Sequence, residues 1–352
     1  MKLALGPGKG NLMETDGAIT KDGVPVILHE FNPWRVALLP DARIQQQHSK
    51  DVIHAPMIVR EIDGGSHTER YLITRDKLPG VEEFLNTILK LNPSATIFFD
   101  TREDETAFFV AWFSKRPMYH QSIVLLFYSF RYPDGKYLAD AIEEEGAPAN
   151  WRKTVALCPA MFPDQFCKLA IGKHYAKQGE DALYTRAKWW LDSMLKQGMR
   201  IVAVLIMLSR VKRSDIKDRT NELVVNAFEA EFAAERLANY VKKDRQVRAL
   251  YPNLKLASAT RAYVFSSIID NERVFFGINM FTGQPTRWED DERQLIRKGY
   301  ATAGNRLADW TISDAPEDDM AADAWEDYGS PRQLGFDAPQ FDLRVLDPRE
   351  IM

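Results

Sequence analysis

Two cysteines in 352 residues cannot build a disulfide framework, so the fold must rest on an apolar core. A basic excess is also missing. Lys and Arg number 46 against 50 Asp and Glu, a formal net charge of -4, and a nucleic-acid-binding chain should show its basic footprint in those sums. Long apolar runs are absent too. The longest, Ile201 to Leu208, has the length of a buried strand and falls far short of a membrane span. After Leu5 the chain meets Gly6-Pro7-Gly8, which leaves no room for a secretory signal's apolar stretch. These absences predict a soluble, cytoplasmic protein without nucleic-acid partners. What is present, 45% apolar and 27% charged residues, suffices for a large globular core.

Apolar runs of strand length recur along the chain. They cover Asn11–Asp16, Val24–His29, Val52–Glu61, Tyr71–Thr74, Ala95–Thr101, Ser122–Tyr128, Thr154–Leu157, Arg200–Leu208, Arg261–Ile268 and Asp309–Ser313. Several are rich in Val, Ile and Phe without alternation, the pattern of parallel strands covered on both faces. Helical periodicity fills Gly80–Leu91, Asp104–Lys115, Gly135–Glu145, Asp181–Gln197 and Asp218–Leu250. Strands alternating with helices imply βαβ units and a parallel sheet. Residues 31–68 read as a loop-rich insertion with a β-hairpin, carrying three of the six histidines. From 321 to 352 an acidic, proline-containing tail is expected to be extended.

The densest chemical signal runs from Glu14 to Glu30. Met13-Glu14-Thr15-Asp16 reads as a strand end, and the period of two puts Glu14 and Asp16 on one face. Thr20-Lys21-Asp22-Gly23 reads as a turn, with glycine at the position that needs a positive φ. The chain then returns through Val24–Leu28 and presents His29 near the carboxylates. Two carboxylates beside a histidine suit a hard divalent cation with a proton-transfer partner. The same pattern also suits an ordinary acidic strand end next to a surface histidine.

This segment resembles the glycerophosphodiester phosphodiesterase family, whose members carry Glu-x-Asp, then Thr-Lys-Asp-Gly, then an apolar strand ending in His-Asp. The matching residues are Glu14-Thr15-Asp16, Thr20-Lys21-Asp22-Gly23 and His29-Glu30, with Glu30 in place of the usual Asp. Leu78-Pro79-Gly80-Val81-Glu82-Glu83 is similar to the family's Pro-x-Leu-Glu-Glu helix start. Ile97-Phe98-Phe99-Asp100-Thr101-Arg102 is similar to the strand ending in an acid-x-Lys pair. Gly304 to Pro316, with Ser313-Asp314-Ala315-Pro316, is similar to the closing strand. The resemblance covers about residues 11 to 320 and is sparse between Tyr132 and Leu256, where only the strand–helix rhythm matches.

The resemblance implies a TIM-type (β/α)8 barrel, with active-site groups at the C-terminal strand ends. The family's first strand carries His-Arg-Gly, followed by a helix with Glu-Asn. No histidine precedes His29, so the first βα unit is expected to be missing or replaced. The resemblance further implies hydrolysis of a glycerophosphodiester or related lipid-derived phosphodiester, dependent on a divalent metal. Glu14, Asp16 and Asp100 would hold Mg²⁺ or Ca²⁺, His29 would be the general acid/base, and Arg102 would contact phosphate. Two other readings stand beside it. The absent first histidine suits a barrel that binds a metal, a phosphate or a partner without turnover. Asp100, where the glycerophosphodiester enzymes carry Glu, suits a sphingomyelinase D-like transfer giving a cyclic phosphate.

Other residues carry weaker signals. His48, His54, His67, His120 and His174 could each stand in for the absent histidine, but loop histidines are commonly just solvated. Cys158 and Cys167 are too few for a metal site and read as plain thiols. Lys212-Arg213 lies on a βα loop where phosphate or a headgroup could be met, although a solvated basic loop looks the same. Trp189-Trp190 reads as core. Trp288 and Trp310 are candidates for the barrel mouth.

Overall fold

The computed structural model describes residues 12–29, 33–62, 69–101, 105–128, 132–161, 179–206, 222–259, 277–278, 285–286, 310–312 and 344–346. The chain opens with a hairpin of β1 (Leu12–Ile19) and β2 (Pro25–Ile27). The chain continues through α1 (Ser49–Val52) and the antiparallel pair β3 (Pro56–Ile62) and β4 (Glu69–Lys77), so the expected hairpin runs on to Lys77. Strands then alternate with helices: α2 (Val81–Leu91), β5 (Thr96–Thr101), α3 (Thr106–Ser114), β6 (Ile123–Tyr128), α4 (Gly135–Glu144), α5 (Trp151–Thr154) and β7 (Ala156–Met161). The second half adds α6 (Gly179–Leu195), β8 (Ala203–Ile206), α7 (Glu222–Lys243), α8 (Arg245–Leu250) and β9 (Lys255–Ala259). Four short strands complete the described residues: β10 (Gly277–Ile278), β11 (Pro285–Thr286), β12 (Trp310–Ile312) and β13 (Arg344–Leu346). Among them no helix is long and apolar enough to cross a membrane. The predicted strand Arg261–Ile268 lies outside the described residues.

The central sheet has the order β12-β9-β8-β7-β6-β5-β1-β2, and every pairing but the β1–β2 hairpin is parallel. Each crossover therefore steps the same way along the sheet. Crossovers of one hand stepping one way put all their helices on one face, and the other face must pack on itself as the sheet curls. The two faces are built for this. Ile97, Phe99, Leu125, Phe127, Leu157 and Val204 share one cluster with helix residues such as Leu85, Val110, Leu138, Trp190 and Leu237. Phe98, Val124, Leu126, Ala156, Cys158, Ala160, Ala203, Leu205 and Ala257 form a separate cluster on the opposite, inner face. This is the (β/α)-barrel arrangement expected from the sequence. Among the described residues no strand joins β12 to β1, and the sheet they form is open there.

The helices follow their sequences closely. In α2, Val81, Leu85 and Ile88 are buried, Glu82 and Glu83 occupy the first turn and Lys90 the last, which suits the helix dipole. Asp134 caps α4 by accepting the Tyr137 N–H at 2.8 Å. At the start of α4, Gly135 lets two backbones meet: a Cβ there would lie 2.4 Å from the Ser193 carbonyl oxygen of α6.

Several element ends differ from expectation. Val52 ends α1 and the strand starts at Pro56, while Thr154 ends α5 and β7 runs from Ala156 to Met161. Two further differences have a plain physical cause. The single helix Asp218–Leu250 is two helices, α7 and α8. Asp244 leaves the helical region (φ -69°, ψ 130°), and its carboxylate accepts the N–H groups of Gln246 and Val247, so it caps a new helix rather than continuing the old one. The first strand does not stop at Asp16 but continues to Ile19. Gly17 stays in the ladder because the Phe99 ring lies where a side chain would be, with Cε1 and Cζ 2.2 Å from the position of a Cβ.

The Thr20–Gly23 turn does structural work. Gly23 has φ 75°, the Thr20 N–H donates to the Val24 carbonyl (3.0 Å), and the Thr20 hydroxyl donates to Asp22 Oδ1 (2.8 Å). Asp22 also accepts the Ser49 N–H at 2.8 Å and its hydroxyl at 2.7 Å, which ties the insertion to the hairpin. A small core of Ala18, Val26, Leu28, Ala37, Ile44, Val52 and Leu78 fills the space beneath. β13 adds to β4 as a third antiparallel strand, so residues 344–346 complete a sheet with β3 and β4.

The Ser49 donors, then Thr20, hold the Asp22 carboxyl well below the usual carboxylate range. A carboxyl lowered in the folded state adds stability above its ordinary value and loses it as the pH falls through the acid range. Asp22→Asn is therefore expected to be less stable than wild type near neutral pH. In urea unfolding the gap should narrow as the pH drops below about 4. A gap that stays constant with pH would count against this role.

Candidate active site

The parallel β1–β5 ladder pairs Glu14 with Phe98 and Asp16 with Asp100. Paired residues point to the same side of a sheet and Glu14 lies two residues from Asp16, so the three carboxylates share a face. It is the inner face, because Phe98 lies two residues before Asp100 and belongs to the inner cluster. One ligand oxygen from each of Glu14, Asp16 and Asp100 lies within 4.8 Å of the other two. Glu14 is exposed, Asp16 half-buried and Asp100 buried. The predicted metal set is thus brought together from two strands that are 84 residues apart in the chain at Asp16 and Asp100.

The donor set suits a hard cation. Carboxylate oxygens are the ligands that Ca²⁺ and Mg²⁺ prefer, and two ligands on opposite sides of one Ca²⁺ can lie ~5 Å apart, against ~4.2 Å for Mg²⁺. Like charges so close repel one another, and a cation among them relieves that repulsion.

The strand end that carries Asp100 is firmly held. The Thr101 hydroxyl, fully buried, donates to the Leu126 carbonyl at 2.9 Å and lies 2.8 Å from the Thr106 hydroxyl, linking β5 to β6 and to the start of α3. Tyr128, the last residue of β6, donates its hydroxyl to Asp100 Oδ2 at 2.6 Å. The sequence places Tyr128 at a strand end and carries no motif that gives it a role. The available signal was parity: Tyr128 is the one polar group on an apolar strand, and it stands beside the strand that ends in the acid.

His29 is placed differently from the carboxylates. The Leu28 N–H donates to the Asp16 carbonyl at 3.0 Å, so the chain carrying His29 leaves β2 alongside β1. The pairing of Gly17 with Ile27 would put His29, by strict alternation, on the face away from Asp16. β2 ends at Ile27 and the chain bends at His29, so alternation no longer governs its ring, which is exposed. Among the described residues the close cluster comprises the three carboxylates and no histidine. Arg102 lies outside the described residues.

The remaining candidates stand apart from this cluster. His48 Nδ1 is 4.0 Å from Asp22, His54 Nδ1 is 3.9 Å from Glu83, and His120 Nε2 is 3.1 Å from the Phe113 carbonyl oxygen. Cys158 lies on the inner face, where burial pushes its thiol far above the ordinary value and the charge of Asp100 adds to the shift. A thiol held neutral is neither nucleophile nor metal ligand. Trp190 is core, donating its Nε1–H to the Tyr132 carbonyl at 2.7 Å, whereas Trp189 is exposed. Trp310 pairs through its backbone with Ala257. His67, Cys167, His174, Lys212, Arg213 and Trp288 lie outside the described residues.

The chain matches no protein-family model and no curated protein. Its backbone is similar to solved glycerophosphodiester phosphodiesterases. A glycerophosphoryl diester phosphodiesterase from Parabacteroides distasonis aligns over 98% of this chain and 83% of its own, at 12% identity and a TM-score of 0.48. The glycerophosphodiester phosphodiesterase from Thermotoga maritima aligns over 89% and 85%, at 15% identity and a TM-score of 0.40.

Proposed function

We propose that this protein is a divalent-cation-dependent phosphodiesterase acting on a glycerophosphodiester or a related lipid-derived phosphodiester. The observation that carries the proposal is the convergence of Glu14, Asp16 and Asp100 on one face of adjacent strands. These carboxylates hold Mg²⁺ or Ca²⁺. When bound, the cation supplies a Lewis acid that stabilises the charge developing on a phosphoryl oxygen. His29 moves the proton at an imidazole nitrogen, the task for which histidine suits neutral pH. Arg102, two residues after Asp100, meets the phosphate. The inner face beyond the carboxylates is apolar and lined with small side chains such as Ala160 and Ala257.

Hydrolysis of glycerophosphocholine with Mg²⁺ or Ca²⁺ tests this reading. His29→Ala is expected to lower kcat by ~10²–10⁴-fold while the cation still binds, since acid–base transfer contributes in that range. Turnover in His29→Ala equal to wild type would remove His29 from the chemistry. Asp100 in place of Glu favours a second outcome, in which a substrate hydroxyl loses its proton and attacks phosphorus, the other ester P–O bond breaks and its alcohol leaves protonated, giving a cyclic phosphate. The phosphorus spectrum of the product distinguishes the two.

A further inference from the structure

We infer that Tyr128 is a positioning residue that sets the orientation of the Asp100 carboxylate for cation binding. The inference rests on the proposed reading of Glu14, Asp16 and Asp100 as a cation site. Asp100 pairs with Leu126 across the β5–β6 ladder, and Tyr128 stands two residues further along the same face. A phenol there can reach back diagonally across the pair, and its hydroxyl donates to Asp100 Oδ2 at 2.6 Å. That length belongs to charge-assisted O–H···O⁻ bonds, which are about twice as strong as neutral ones.

The surroundings show what this hydroxyl adds. Every other residue of β6, Ile123 to Phe127, is apolar, so a phenylalanine at 128 would suit the strand as well as the tyrosine. The backbone at Asp100 is already pinned through Thr101, by its bonds to Leu126 and Thr106. The Tyr128 bond acts instead on the Asp100 side chain, whose last torsion is intrinsically broad and roughly two-fold. Glu14 and Asp16 carry the same charge within 4.8 Å and would turn the carboxylate away. A fixed donor on Oδ2 selects one carboxylate plane against that repulsion, so the cation meets Asp100 already oriented. Partners of this kind behind a metal ligand typically change metal affinity by ~10–100-fold.

Tyr128→Phe removes the hydroxyl and keeps the ring. Calorimetric titration of chelator-stripped protein with Ca²⁺, and separately with Mg²⁺, is expected to show that Tyr128→Phe binds the cation ~10–100-fold more weakly than wild type, at the same stoichiometry. Thermal unfolding in chelator provides the contrast, because a merely structural hydroxyl would lower that midpoint and leave the affinity alone. Wild-type affinity in Tyr128→Phe, whatever its melting behaviour, would overturn the positioning role and leave the cation site standing. A wild type that binds neither cation would overturn the cation site, and the role of Tyr128 with it.

Discussion

Asp16→Asn is expected to melt at a higher temperature than wild type in the presence of chelator, and to gain nothing when Ca²⁺ or Mg²⁺ is added. The first effect follows from removing one of three carboxylates whose oxygens lie within 4.8 Å of one another. The second follows from linkage. A cation that binds only the folded state stabilises it by RT ln(1 + [L]/Kd), about 2.7 kcal/mol at one hundred times Kd. For a chain of this size that is roughly 4 °C in the wild-type midpoint. A substitution that merely loosened the fold would lower both midpoints and preserve the cation-induced rise. Scanning calorimetry with and without cation separates the two, and a wild type indifferent to both cations would contradict the account.

Gly17→Ala is expected to destabilise the protein by about 3 kcal/mol, the upper end of ordinary overpacking. The new Cβ would fall 2.2 Å from two atoms of the Phe99 ring and 3.1 Å from Phe109. Phe99 cannot yield easily, because its fully buried ring packs 5.0 Å from Phe109 and 5.3 Å from Phe113, centroid to centroid. Relief must come from the strand, and β1 at that point pairs Gly17 with Thr101 and Asp16 with Asp100. Cation affinity should therefore fall along with stability. Urea unfolding and calorimetric titration of the same variant check the two halves, and a stable variant with full affinity would show that the ring has room to move.

Much of this was legible in the sequence, for identifiable reasons. β6, and β5 through Ile97-Phe98-Phe99, read as apolar runs without alternation because both their faces are buried, one under helices and one inside the sheet. α2 read clearly because one stripe of Val81, Leu85 and Ile88 carries its packing. The pairing of Glu14 with Asp16 needed only the two-residue period of a strand.

Other features were hidden by competing signals. β9 was missed because Lys255-Leu256-Ala257-Ser258-Ala259 lacks the branched residues of a typical strand, and the inner face at Ala257 is lined with small side chains. The amphipathic period runs through Asp244, so the cap that splits α7 from α8 looked like one more charged residue. Gly17 looked like the end of a strand, although the glycine answers to a phenylalanine 82 positions later. Tyr128 could be placed at a strand end, but its hydroxyl bond to Asp100 depends on which strands become neighbours.

The central claim is that the Glu14, Asp16 and Asp100 cluster drives cation-dependent phosphodiester cleavage. Phosphorus NMR of glycerophosphocholine incubated with the chelator-stripped protein tests it most directly, before and after Ca²⁺ or Mg²⁺ is restored, with Asp16→Asn alongside. The account predicts loss of the diester resonance and growth of a monoester only in wild type with added cation. Equal conversion in chelator, equal conversion by Asp16→Asn, or an unchanged diester under every condition would contradict it.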